Sequence, residues 1–201
     1  VKTRLTPYDE LTFMGLAGVD RMELNTDLEG EDESSDYILS YLPKIEQETF
    51  TVGATYRHYA GRHVQTYVLS HNFLNDRNLK YRDNDETSEE NLTLRLRSTE
   101  QKTTFRAENL TTLSGGWTLK ESAEVNYIDY ADNERRLLAL GDWSVYRTHL
   151  GLLSYGASFS ASYTAAEERW SAAFGLRADG NNYSSRMSRP WEQLSPRASF
   201  R

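Results

Sequence analysis

The sequence predicts an all-β fold built from antiparallel up-and-down hairpins. Three observations predict it: segments in which apolar and polar residues alternate, the length of those segments, and the alternation of short and long connections between them. The clearest hairpin spans residues 152–183, where Tyr155, Phe159 and Tyr163 share one face of the first arm and Trp170 and Phe174 share one face of the second. Because successive side chains of a strand point to opposite faces, a period of two indicates strands.

The arms of this hairpin are long. Each exceeds ten residues, whereas an ordinary globular strand has ~5–6 residues. Long alternating arms with aromatic residues at their ends are typical of outer-membrane barrels, in which a tilted strand needs ~9–11 residues per crossing. The predicted fold class is therefore all-β, as part of a transmembrane outer-membrane β-barrel with long extracellular loops.

Two further hairpins are predicted at 48–71 and 92–127, and a last strand begins at Leu194. The connections between arms alternate in length along the chain. The short ones are 60–61, 114–116 and 164–168, and the long ones are 72–91, 131–150 and 184–193. In an up-and-down barrel, alternate connections lie on the same side, with short periplasmic turns and longer extracellular loops.

The first 47 residues are expected to be mostly irregular. They contain a short strand near 11–15, an acidic run at 27–33 interpreted as a solvated loop, and a helical turn or edge at 37–43. A second short helix is predicted at 135–140. With about seven or eight strands, the whole chain, 1–201, is predicted to be a partial β-barrel domain without a plug domain.

The composition excludes several classes of function. The 201 residues contain no cysteine, which excludes disulfides, thiolate catalysis and zinc–thiolate sites. The net charge of −7 argues against nucleic acid as a partner, because binding phosphates requires a basic face. The sequence contains no apolar run near 18 residues, so no transmembrane helix is predicted.

Short motifs resemble those of TonB-dependent outer-membrane receptors. Gly-Leu-Arg-Ala-Asp at 175–179 precedes a loop, and Gln-Leu-Ser-Pro-Arg at 193–197 opens the next strand, as in that family. Looser matches to the Bacteroidetes-like branch lie at 13–20, 25–27, 41–54 and 91–94. The likeness covers most of the chain as loosely spaced matches.

The resemblance implies a 22-stranded barrel plugged by an N-terminal domain and located in the bacterial outer membrane. Such a receptor imports a scarce nutrient, with energy supplied by a TonB-type partner. The chain shows neither a plug nor an energy-coupling box, so it is expected to be a fragment. The expected partners are outer-membrane lipid, a TonB-type energy-coupling protein acting through regions absent here, and a small-molecule or oligomeric nutrient.

The alternation and the resemblance together sort the side chains. One set is predicted to face lipid: Trp117, Val125, Tyr127, Tyr155, Phe159, Tyr163, Trp170 and Phe174. A charged set is predicted to face a wet lumen: Arg95, Arg97, Lys120, Glu124, Arg177 and Asp179. Trp143, Tyr146 and Trp191 lie in predicted long loops and are candidates for stacking on a ligand, although loop packing explains them equally simply.

No enzymatic activity, cofactor or metal site is predicted. The chain has no Gly-x-Ser-x-Gly elbow that would place a serine beside a histidine. His58 and His63 flank a turn, but a metal site needs more converging ligands. The acidic loop from Asp83 departs from a calcium motif, because Ser88 stands where glycine is required.

Three alternatives stay open at this point. The first is a soluble β-rich binding or adhesion module whose aromatic faces form a sandwich core. The second is a complete small eight-stranded barrel that acts as an anchor or adhesin. The third, a membrane-embedded hydrolase, would need a Ser–His pair. The cargo of a transporter also stays open among iron chelates, cobalamin, oligosaccharides and peptides.

Overall fold

The chain forms one open sheet of nine strands. A computed structural model describes residues 1–28, 30, 32–165 and 169–201. The strands are β1 (Lys2–Thr6), β2 (Asp9–Met22), β3 (Lys44–Ala60), β4 (His63–Tyr81), β5 (Leu92–Thr112), β6 (Trp117–Leu137), β7 (Trp143–Thr164), β8 (Ser171–Asn181) and β9 (Leu194–Phe200). They lie in chain order and each pairs antiparallel with the next. The predicted all-β, up-and-down fold is confirmed, although the sheet is not closed.

The register is nearly unbroken. From β2 to β9 the ladders show one irregularity, between Lys80 and Tyr81, among the described residues. Side chains that stand opposite one another therefore stay on the same face across the sheet. We call the face that carries Phe105, Val125 and Tyr155 the aromatic face, and the opposite one the polar face.

β4, β6 and β7 are longer than predicted, at the expense of the loops, whereas β5 has the length of the predicted arm between 92 and the turn at 114–116. β5 and β6 have 21 residues each, which is about 70 Å at ~3.4 Å per residue. The prediction of a loop over 72–91 is wrong for 72–81, which pairs with β5. The predicted loop at 131–150 shrinks to 138–142, and the predicted helix at 135–140 is wrong because β6 continues to Leu137.

The prediction of a mostly irregular segment at 1–47 is also wrong. β1 and the 14-residue β2 lie there, followed by helix α1 (Glu33–Tyr41). Gly15, Ala17 and Gly18 obscure the alternation of apolar and polar residues in β2. The segment is extended because it pairs with β3 along its whole length. The residue pattern of a segment alone does not reveal a strand that is held extended by pairing with its neighbour.

The connections retain their asymmetry at the two ends of the strands. At one end they are 7–8, 61–62, 113–116 and 165–170, of which 166–168, part of the predicted 164–168 turn, lie outside the described residues. At the other end they are 23–43, 82–91, 138–142 and 182–193. We call these the short-turn end and the long-connection end. The alternation fails at 138–142, which is no longer than a short turn.

No second layer covers either face in the described part of the chain. The buried apolar side chains there are Leu39 and Leu92, both near the long-connection end. Phe105 and Phe174 are 48% and 56% exposed, whereas a sandwich buries such rings against a second sheet. The described ranges contain no helix with the length and apolar character to cross a bilayer.

Candidate functional site on the open sheet

An apolar band crosses the aromatic face from β2 to β9. On β7 it runs from Leu153 to Tyr163, and neighbouring strands bring their own apolar residues into register with it. The band contains Trp117, Val125 and Tyr127 of β6, Tyr155, Phe159 and Tyr163 of β7, and Phe174 of β8, and the Trp170 ring packs at a tilt against Tyr163. The predicted lipid-facing residues therefore share one face. Their contact with lipid stays a prediction.

The band runs obliquely to the ladder. Starting near the centre of the band on β2, at Gly15, the register leads straight across the sheet to Leu153, where the band on β7 ends. The midpoint of the band on β7 is Ser158, so the band shifts by about five residues over five strand spacings. At ~3.4 Å per residue and ~4.8 Å per strand, this corresponds to a strand tilt of about 35°. Membrane barrels tilt their strands by ~35–45°.

The height of the band follows from this tilt. From Leu153 to Tyr163 is about 34 Å along the strand at ~3.4 Å per residue, or about 28 Å perpendicular to the band. The apolar zone of an outer-membrane barrel is ~25 Å tall. Within the band, Glu121 and Asn109 form a polar interruption and hydrogen-bond each other at 2.9 Å.

Aromatic rings mark the boundary of the band at the short-turn end. Ring centroids are 5.1 Å apart for Trp117 and Tyr163, 5.0 Å for Tyr163 and Trp170, and 5.9 Å for Trp170 and Phe200. Tryptophan and tyrosine favour membrane–water interfaces, because their rings are apolar and their polar atoms seek water. The row therefore has the composition of an interfacial belt.

The polar face carries hydrogen-bonded side chains over the same height. Arg177 binds both carboxylate oxygens of Asp179, with Nε at 2.8 and 2.9 Å. This pair lies over Gly156, where a Cβ atom would stand 2.4 Å from the Asp179 carboxylate. A cavity of about 240 Å³ lies beside this pair, and Glu124 lines it together with Arg177 and Asp179. Lys120 lies on this face as well, so these four predicted lumen residues are cofacial.

The prediction for Arg95 and Arg97 is wrong in its face. β5 has no bulge in its pairing with β6, so both arginines lie on the same face as Phe105, opposite Arg135 and Asn133. The error arose because the apolar residues change face along β5: Leu94 and Leu96 lie on the polar face, whereas Phe105 lies on the aromatic face. Both arginines lie beyond the apolar band, toward the long-connection end.

Two long connections pack together as a small cap at that end. Leu39 of α1 is buried, and Lys80 donates hydrogen bonds to its carbonyl oxygen and to the Asn84 side chain. Lys44 pairs with Glu86 at 2.9 Å. A cavity of about 420 Å³ lies between α1 and the 82–91 connection. We call residues 23–43 and 82–91 the cap.

Side-chain hydrogen bonds hold the cap in place. Asp32 caps α1 by accepting from the amides of Ser34 and Ser35 at 2.9 Å. Hydrogen bonds from Ser35 hold the pKa of Asp32 below its ordinary value. Sequence reasoning offered a helical turn at 37–43 but missed the first half of this helix, although an Asp followed by Glu-Ser-Ser-Asp and an apolar run is a recognisable helix start.

The three candidate ligand-stacking aromatics do not come together. Trp143 opens β7 on the aromatic face, with the Arg135 guanidinium 4.0 Å from its ring centre. Tyr146 lies in the same strand on the opposite face. Both are therefore in a strand rather than in the predicted loop. Trp191 does lie in a long connection, in a short 3-10 helix, and is 68% exposed.

The histidines are engaged separately. His58 contacts Asp9 at 2.7 Å and His63 contacts Thr111 at 2.9 Å, so they face different strands. In the acidic loop, Asp85 accepts from Thr87 and Asn91. The described residues contain no cluster of three or more potential metal ligands.

Comparisons with known proteins reveal a likeness of fold. No protein-family model matches the sequence, and no curated protein matches it. A solved structure, the ferric preacinetobactin receptor BauA from Acinetobacter baumannii, is similar over 99% of this chain with a TM-score of 0.57 and 8% identity. The match covers 35% of that receptor, so the chain spans about a third of its length. At this identity the likeness concerns the fold alone.

Proposed function

We propose that this chain is a segment of the barrel wall of an outer-membrane nutrient receptor. The aromatic face contacts lipid, and the polar face lines a water-filled interior. The apolar band carries the proposal, because it has the tilt and height of a membrane-crossing zone and no second layer formed by the described residues covers it. In water, an apolar face of this size would drive association.

The open edges of the sheet support a larger barrel. β1 and β9 each pair on one side, in the part of the chain that is described. Unpaired strand edges are costly in a membrane, and closing the sheet into a barrel removes them. The fold likeness to about a third of BauA is consistent with further strands that complete the wall.

The proposed ligand is a small-molecule nutrient captured at the long-connection end. Among the candidate cargoes, an iron chelate comes first, because the similar structure is that of a ferric preacinetobactin receptor. The cap supplies a cavity at this end of the strands that is lined mostly by charged and polar residues. Passage through the barrel would be driven by a TonB-type protein acting through regions outside this chain.

The proposal includes no catalysis. Each of the four histidines has an aspartate or threonine as its side-chain hydrogen-bond partner: His58, His63, His71 and His149. A serine hydrolase would need a histidine hydrogen-bonded to its nucleophile. Binding and passage therefore account for the arrangement better than hydrolysis does.

Depth-resolved quenching tests the membrane placement. The chain is refolded into phosphatidylcholine vesicles whose acyl chains carry bromine at different depths. Trp117 and Trp170 are expected to be quenched most by bromine near the interface, because they lie at one boundary of the band. A W117F/W170F variant identifies their share of the signal. A monomer that stays soluble without detergent and shows no quenching would refute the placement.

Shortening the cap tests the capture role. In a complete receptor, residues 83–90 are replaced by a two-residue turn, and affinity and uptake are measured with a ferric siderophore. Both are expected to fall, since this segment lines the cap cavity. The matched control shortens 184–189 in the other long connection. Unchanged affinity and uptake in the 83–90 variant would contradict capture by the cap.

A further inference from the structure

A row of arginines crosses the aromatic face beyond the apolar band. Arg77 of β4 stands opposite Arg97 of β5. Arg97 in turn stands opposite Asn133 of β6, and Asn133 stands opposite Arg147 of β7. One row farther out, Arg95 stands opposite Arg135. We call these five arginines the arginine patch: Arg77, Arg95, Arg97, Arg135 and Arg147.

Two of the five have acidic partners. Arg77 binds Glu46 at 3.1 Å and Arg95 binds Glu89 at 2.8 Å. Side chains directly opposite in a ladder are ~4.5–5.5 Å apart at Cβ, and like charges there destabilise the sheet. The Arg77–Arg97 pair and the Arg95–Arg135 pair therefore each have one carboxylate partner for two guanidinium groups, and each retains one positive charge in excess.

The remaining three lack a carboxylate partner within the described ranges. Arg97 donates to the side-chain oxygen of Asn75 at 3.2 Å, and Arg135 lies over Trp143. Arg147 forms no ion pair with any described carboxylate. All three are exposed. Three guanidinium groups are thus available to an external anion.

The two faces of the sheet differ in charge at the height of the arginine patch. The chain as a whole carries a net charge of −7. On the polar face, in the rows next to the arginine patch, the register brings in Asp76, Asp132 and Glu134. The aromatic face also carries Glu46 and Glu48 at this level, and the polar face carries Arg136. The five arginines of the patch nevertheless outnumber the two glutamates beside them on the aromatic face.

The height of the patch limits the type of anion. Arg77 lies four residues beyond Phe73, and Arg147 lies six beyond Leu153. With ~3.4 Å per residue and a tilt of about 35°, these arginines lie about 11–17 Å above the apolar edge. The headgroup zone of a phospholipid bilayer adds only ~5–8 Å per leaflet. A longer phosphorylated headgroup fits this height better.

We propose that the arginine patch binds phosphate groups on the saccharide headgroup of an anionic glycolipid. Guanidinium groups bind phosphate through paired hydrogen bonds, and the adjacent apolar band accommodates acyl chains. The lipid would lie in the leaflet nearest the long-connection end. This inference rests on the proposed function, because it requires the aromatic face to contact lipid.

The test compares two triple variants with equal loss of charge. R97Q/R135Q/R147Q removes the free guanidinium groups of the patch. The control R62Q/R197Q/R201Q removes three exposed arginines from the short-turn end and the β9 edge, none of which forms an ion pair with a described side chain. Each protein is refolded into vesicles of phosphatidylcholine alone, with phosphatidylglycerol, or with lipid A, a phosphorylated glucosamine disaccharide lipid.

The measured quantity is the relative association constant for each lipid. The unsubstituted chain and the control are expected to prefer lipid A. The patch variant is expected to lose this preference by up to about 100-fold at low salt, since each arginine near an anionic surface contributes about fivefold. Raising NaCl from about 0.05 to 0.5 M should weaken the preference, because the Debye length shortens. R97K/R135K/R147K should retain part of it through charge alone.

Each other outcome has a distinct meaning. Equal affinity for phosphatidylglycerol and lipid A would overturn the glycolipid assignment. Full competition by millimolar inorganic phosphate would also overturn it, since the headgroup would then contribute nothing. Insertion into all vesicles without lipid preference would refute this inference and leave the proposed function intact. Failure to insert even into phosphatidylcholine would instead refute the proposed function.

Discussion

Replacing Leu69 by lysine tests which medium covers the aromatic face. Leu69 lies near the middle of the band on β4, opposite Ala54 and Phe105, and is 55% exposed in the protein alone. Its neighbour Ser70 points to the polar face, opposite Gly53 and Thr104. The two positions are adjacent in sequence, so Leu69→Lys and Ser70→Lys form a matched pair.

The expected magnitude depends on what covers Leu69. About half of the side chain is already covered by protein, and losing that contact costs about 1 kcal/mol in any medium. A lysine at the bilayer midplane costs a further ~2–4 kcal/mol on the lipid face of a barrel. Leu69→Lys should therefore destabilise the membrane-folded protein by about 3–5 kcal/mol. Ser70→Lys should cost less than about 1 kcal/mol, because its side chain reaches water.

The assay is a guanidinium titration of the chain refolded in phosphatidylcholine vesicles, followed by tryptophan fluorescence. The free energies of unfolding of both variants are compared with that of the unsubstituted chain. A Leu69→Met variant controls for loss of shape without charge and should cost less than about 1.5 kcal/mol. Equal destabilisation by the two lysines would refute the assignment of the aromatic face to lipid.

Three further outcomes are expected. Gly116→Ala should destabilise the chain by about 2–4 kcal/mol, because φ is +83° and a Cβ would overlap a backbone carbonyl. Gly115→Ala, with open space around it, should cost about 1 kcal/mol. Equal denaturant midpoints for the two variants would contradict this. The Asp32 pKa is lowered by hydrogen bonds from Ser35, so its contribution to cap stability is present above the ordinary pKa of 3.8 and is lost as pH falls below it. The protection factors of the α1 amides, which are corrected for the intrinsic pH dependence of exchange, should thus fall on acidification, and Asp32→Asn, which still caps, should remove this fall. In a complete receptor, Trp191→Ala should weaken ligand affinity about tenfold or more if the exposed ring stacks on ligand; unchanged affinity would eliminate it as a candidate.

Period-two alternation was a sound guide wherever a strand is apolar on one face throughout. In β7 and β8 the pattern placed Tyr155, Phe159, Tyr163 and Phe174 on one face, and the register agrees. These strands are amphipathic along the paired segment, so local sequence carries the signal. The turn at Gly115 was equally clear, because a positive φ favours glycine and the sequence places two glycines there.

The outward extensions of the strands could not be predicted from local pattern. Beyond Phe73 and Tyr127, the aromatic face becomes mostly polar, and apolar residues such as Ile128 and Tyr130 lie on the other face. The alternation that marks the aromatic face is therefore interrupted although the strands continue. Those residues stay extended because the neighbouring strand satisfies their backbone groups. Pairing energy of this kind depends on the partner and not on the segment itself.

The sequence alone determined the all-β class, the hairpin order and the division of β6, β7 and β8 into an aromatic and a polar face, because those features depend on the two-residue period of each strand. Only the tertiary structure decided the lengths of β4, β6 and β7, the oblique path of the apolar band, the cap on α1 and the arginine patch. These features depend on the register between strands: residues as far apart as Arg77 and Arg147 become members of one row only through the intervening ladders.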